Sequence, residues 1–110
     1  MLWDEVEKIK NQLDSALSTC RENGIKWATA EQKYRIAKAK EELRLRADNI
    51  PVTLIPDIVK GIEEVAQLDF DRNVAFVVYK ANQEAINVKK LELRTLEAEL
   101  EREYGNDQSV

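Results

Sequence analysis

Histidine is absent from this sequence, and cysteine occurs once, as Cys20. The first absence removes the side chain that most often serves as a general base near neutral pH. The second leaves no Cys–His nucleophile pair and no intramolecular disulfide, which fits a reducing compartment. Together they exclude metal sites of the Cys/His type. The glycines, Gly24, Gly61 and Gly105, lie too far apart for a phosphate-cradling loop. Adjacent carboxylates such as Glu41–Glu42 and Glu63–Glu64 point in different directions on a helix and form no dyad. A carboxylate di-metal centre in a helical bundle normally includes a Glu-x-x-His pair, and none is possible here. The expectation is a non-enzymatic chain with no catalytic residues, no cofactor, no metal site and no small-molecule substrate.

Long apolar runs are also missing. No stretch approaches the roughly 18 residues of a spanning helix. The opening Met1-Leu2-Trp3-Asp4-Glu5 lacks the basic-then-apolar order of a signal peptide. No membrane association is expected, and the chain reads as soluble and cytoplasmic. The net charge of -4 and pI near 5.0 argue against nucleic-acid binding over the whole surface, though not against a local basic patch.

Proline and aromatic residues are scarce, whereas charged residues make up 35% of the 110. Few turn formers and many helix formers point to one domain of long helices. The only strong punctuation is Asp48-Asn49-Ile50-Pro51-Val52-Thr53. Pro51 cannot continue a helix and drives Ile50 out of the helical region. Thr53 is suited to cap a short helix over about 54–60, with Pro56 in its first turn and Gly61 as a left-handed C-cap. The expected order is a helix over about 2–48, a tip over 49–61, a helix over about 62–104 and a frayed tail at 105–110.

Before the tip, Val6, Leu13, Cys20, Trp27 and Tyr34 recur at heptad spacing, alongside Leu2, Ile9, Ala16, Ala30 and Ala37. After it, Val65, Leu68, Ala75, Tyr79, Ile86, Leu93, Leu96 and Leu100 form a matching stripe, interrupted by Arg72, Asn82 and Lys89. These polar interruptions either fix register or lie flat with their tips in water. Gly24 inside the first helix marks a bend or a close approach. The fold class is therefore all-α: a long antiparallel two-helix hairpin, or coiled coil, with a short helix at the tip. A symmetric fold about the tip would set Tyr34 near Phe76, Trp27 near Gln83 and Leu13 near Glu97, with Arg72 in reach of Glu41 or Glu42.

Three surface features exceed a simple hairpin. Val74, Val77, Val78, Ala81, Ala85 and Val88 lie away from the second helix's inner stripe, so around 74–88 that helix is apolar nearly all round. Such a helix should be buried on every side. A second copy is the simplest cover, giving a homodimeric four-helix bundle. Lys33, Arg35, Lys38, Lys40, Arg44 and Arg46 form a basic stretch that either contacts an acidic partner or nucleic-acid phosphates, or is a solvated face paired with neighbouring glutamates. Ile50, Val52, Leu54, Ile55 and Ile58 at the tip either dock on a partner or cap the hairpin core. The acidic finish Glu92, Glu97, Glu99, Glu101 and Glu103 is either ordinary helix surface or a phosphate mimic.

Two stretches carry a family resemblance. One is Lys33-Tyr34-Arg35-Ile36-Ala37-Lys38-Ala39-Lys40, running on to Leu45-Arg46 and Pro51-Val52-Thr53-Leu54-Ile55. The other is Val65-Ala66-Gln67-Leu68-Asp69-Phe70-Asp71-Arg72-Asn73-Val74-Ala75, followed by Tyr79-Lys80 and Glu84-Ala85-Ile86-Asn87. They resemble small helical proteins encoded by bacteriophages and prophages of Gram-positive bacteria, over about residues 25–104. The resemblance implies a phage early-region protein in the host cytoplasm, encoded near recombination and single-strand-binding functions, and supplies no activity or site residues. The residues themselves leave three readings: an interaction protein that dimerises through the Val74–Val88 face and engages a phage or host protein, a DNA-binding accessory factor using the basic stretch 33–46, or an inhibitor of a host DNA-processing or defence protein with the acidic end as phosphate mimic.

Overall fold

The structure, a computed structural model, describes residues 1–108. The described residues form α1 (Leu2–Ala47), α2 (Ile55–Lys60) and α3 (Glu63–Gln108). The all-α class is as expected. The chain divides into two compact units, one of Met1–Glu22 with Lys80–Val110 and the other of Asn23–Tyr79.

Helix ends follow from local chemistry. Asp4 and Glu5 open α1 and Arg44 and Arg46 close it, each of a sign that complements the helix dipole. At its end Asn49 adopts a left-handed conformation, with φ 61. The Ile50 amide donates to the Leu45 carbonyl at 3.1 Å and the Asn49 amide to the Arg46 carbonyl at 3.0 Å. This is the Schellman arrangement, completed by Ile50 packing against the cluster that contains Leu45. The left-handed residue expected at Gly61 is instead found at Asn49, whose short polar side chain tolerates that conformation. Gly61 has φ -89; its amide donates to the Ile58 carbonyl at 3.1 Å and the Ile62 amide to the Val59 carbonyl at 3.1 Å. Leu54, not Thr53, caps α2, and no side chain accepts a bond there. Pro56 does fall in the first turn. α3 runs on to Gln108 rather than stopping near 104; Ser109 and Val110 of the expected tail lie outside the described residues.

In the unit Asn23–Tyr79, α1 and α3 run antiparallel and α2 closes one end. Leu45, Ile55, Val59 and Val65 form its buried cluster, with Tyr34, Ala37, Ile50 and Ile62 packed around it. Trp27 meets Phe76 and Tyr79, not Gln83, and Arg72 meets Glu31, not Glu41 or Glu42. The register is displaced by about one heptad from a symmetric fold. The cause is α2: Ile55 and Val59 cover the last turns of α1, leaving α3 to pair farther down. A one-heptad displacement keeps both stripes facing each other. In the other unit the N-terminal part of α1 pairs with the C-terminal part of α3, and Val6 and Ile86 are its buried residues. There Gln12 accepts from Lys89 Nζ at 2.8 Å, in place of the expected Leu13–Glu97 pairing.

Candidate interaction surface

Within the unit Asn23–Tyr79 the inner seam is aromatic and polar rather than uniformly aliphatic. The Trp27 ring stacks on Tyr79 with centroids 5.7 Å apart and leans on Phe76 at 5.2 Å. Gly24 lets the Tyr79 ring approach its backbone: a methyl group at Gly24 would sit 3.2 Å from Tyr79 Cε1. Close approach, not a bend, is therefore the role of this glycine. One turn away, Arg72 lies with its guanidinium carbon 4.1 Å from the Tyr34 ring centroid. Its Nη1 donates to Glu31 Oε2 at 2.9 Å and its Nε to Asp69 Oδ1 at 2.8 Å. Hydrogen bonding from Arg72 holds the Glu31 carboxyl below its ordinary pKa, and bonds to Asp69 and then Glu31 raise that of Arg72. Arg72 is thus a cross-helix tie, not a side chain lying flat with its tip in water. No buried side-chain polar atom lacks a partner among the described residues.

The outer side of α3 is different. In the unit Asn23–Tyr79, Val74, Val77 and Val78 are exposed, Val77 by 65%. In the other unit Ala81, Ala85 and Val88 are exposed too. Neither α1 nor α2 covers these six side chains. In the first of these units Phe70 lies one turn before Val74 and is exposed by 63%; in the other Leu91 lies one turn after Val88 and is exposed by 60%. Both follow the three-and-four spacing of Val74, Val77, Ala81 and Val88, so the signal was present but lies outside the valine-rich window.

The basic stretch is partly neutralised by its own helix. Arg35 pairs with Glu31 at 3.0 Å, Arg44 with Glu41 at 2.7 Å and Asp48 at 3.6 Å, and Lys38 with Glu42 at 4.0 Å. Lys33, Lys40 and Arg46 are in no ion pair among the described residues. The pairs divide the stretch into engaged and unengaged charges and do not gather it into one patch. At the tip, Ile55 is 3% exposed and belongs to the core, so it is not available for docking. Ile50 packs half-buried on that core, while Val52, Leu54 and Ile58 face outward.

Surface concavities are open clefts along the helix pairs. Among the described residues, no group of three or more Cys, Asp or Glu side chains is arranged to hold a metal ion, and no helix is long and apolar enough to cross a membrane. No protein-family model, curated protein or solved structure matches this chain.

Proposed function

We propose that the chain is a non-enzymatic protein–protein interaction protein that works as a homodimer. The observation that carries this reading is the uncovered apolar stripe on α3, with Phe70, Val74, Val77, Val78 and Val88 all at least 40% exposed. Valine is a mediocre helix former, so its concentration there is explained by packing rather than helix propensity. Contiguous apolar surface of this kind marks an interaction site. A second copy placing its own α3 against this stripe gives a four-helix bundle. The chain's resemblance to small phage and prophage proteins supports a phage early-region accessory or host-modulating role in the host cytoplasm, with a phage or host protein as the further partner. Light scattering on a size-exclusion column tests the reading. The wild type should elute with a dimer's mass and Val78→Glu with a monomer's; a dimeric Val78→Glu variant removes the face from the interface.

A further inference from the structure

Two adjoining clefts run along one side of the unit Asn23–Tyr79 and share Lys26 and Asp71. Asn23, Ala30, Leu68 and Ala75 are their half-buried lining residues. Exposed Phe70, Val74 and Val78 stand on the α3 side, and Lys26 and Lys33 on the α1 side. An apolar trough between two antiparallel helices, with lysines along its α1 edge and Asp71 on its α3 edge, can receive a third helix. Neither lysine is in an ion pair among the described residues. Asp71, also in the trough, accepts from Gln67 Nε2 at 2.9 Å.

The chain itself contains a helix of matching pattern. In the other unit, α3 exposes Val88 and Leu91 by 53% and 60%. Glu92 and Glu99 lie exposed on the same flank. Seven residues separate Glu92 from Glu99, as seven separate Lys26 from Lys33. At a rise of about 1.5 Å per residue both pairs span about 10.5 Å. Glu99 is in no ion pair among the described residues, and Glu92 has only Lys89 of its own helix, at 3.4 Å.

We propose that this trough receives residues 88–99 of α3 from a second copy, with Glu92 of that copy on Lys26 and its Glu99 on Lys33. The reading rests on the homodimer and names its register. Matching the two charge pairs fixes the direction: the incoming segment runs parallel to α1 and antiparallel to α3. At that register Leu91 of the second copy comes level with Val78 and its Thr95 with Val74, because Gly24 and Trp27, on either side of Lys26, both meet Tyr79.

Charge exchange tests it by light scattering, with circular dichroism confirming that each variant stays helical. Lys26→Glu with Lys33→Glu should weaken the dimer at least tenfold, and so should Glu92→Lys with Glu99→Lys. Mixing these two double variants, or combining all four substitutions in one chain, should restore it. Both double variants staying fully dimeric while Val78→Glu is monomeric would overturn the trough and leave the homodimer standing. A weakened dimer that neither mixing nor combination restores overturns the pairing of these four residues. A monomeric wild type overturns both readings.

Discussion

Arg72 on α3 reaches across to Glu31 on α1 at 2.9 Å while its guanidinium lies over the Tyr34 ring. The arginine therefore ties charge, aromatic face and register at one level of the seam. Both side chains keep some exposure, 30% and 21%, so the pair is screened but not dissolved by water. Arg72→Ala should lower the melting temperature by a few degrees, because Glu31 then keeps only Arg35 on its own helix. Glu31→Ala should do the same, and the double variant should cost less than the two singles added, as expected for residues in direct contact. Thermal unfolding of the four chains checks this; strict additivity would mean that the pair contributes nothing.

Acid sensitivity follows from the same contact. Glu31 has a folded pKa below its ordinary 4.5, chiefly through the Arg72 hydrogen bond. Its contribution to stability is therefore complete above pH 4.5 and is lost as pH falls through the lower folded value. The wild type should lose stability over that window, and Glu31→Gln should flatten this part of the profile while lowering stability near neutrality. Denaturant unfolding at a series of pH values measures it. A Glu31→Gln profile parallel to the wild type would show that other carboxylates carry the acid response.

Much of this fold is legible in the residue pattern. Every stripe position, from Val6 to Tyr34 and from Val65 to Leu100, is buried or half-buried, and Arg72, Asn82 and Lys89 sit half-buried among them. The register is not legible, for a physical reason. A heptad pattern matches itself after a slip of seven residues, so the stripes alone accept Trp27 against Gln83 or against Phe76. Arg72 with Glu31, and Gly24 with Tyr79, distinguish the two, but only once α2 is known to cover Leu45. The valine face was visible as excess apolar surface. The acids that engage Arg35, Lys38 and Arg44 were visible as neighbours three or four residues away, and the split between engaged and unengaged charges depends on rotamers that sequence does not specify.

Asn49 closes α1 in a left-handed conformation that residues with a branched Cβ enter only with strain. Asn49→Gly should leave stability unchanged or raise it slightly. Asn49→Val should cost about 1–2 kcal/mol. Chemical denaturation compares them, and an unaffected Asn49→Val variant would show that the chain turns another way at this point.

Tip residues separate into two kinds. Val59 is 1% exposed and packs with Leu45, Ile55 and Val65, whereas Val52 is 65% exposed. Val59→Ala removes buried methyl groups and leaves a cavity, so it should cost about 2 kcal/mol. Val52→Ala should stay within about 0.5 kcal/mol of the wild type. Denaturant midpoints decide it. Equal losses at both sites would mean that Val52 is covered in solution, as by a partner docked at the tip.

Gly24 offers the sharpest test of the seam. In an exposed helix, replacing glycine by alanine stabilises by about 1 kcal/mol. Here the new methyl group meets the Tyr79 ring at 3.2 Å, and that ring is also stacked against Trp27. Either the ring shifts and loosens the Trp27 contact, or the helices separate slightly. Gly24→Ala should therefore yield no net gain, and Gly24→Leu should destabilise strongly. In a Tyr79→Ala background the obstruction is gone, and Gly24→Ala should recover its full gain of about 1 kcal/mol. The comparison is a double-mutant cycle read by denaturant unfolding. A gain of the same size in both backgrounds would show that Tyr79 does not press on the glycine, and that the register placing them together is wrong.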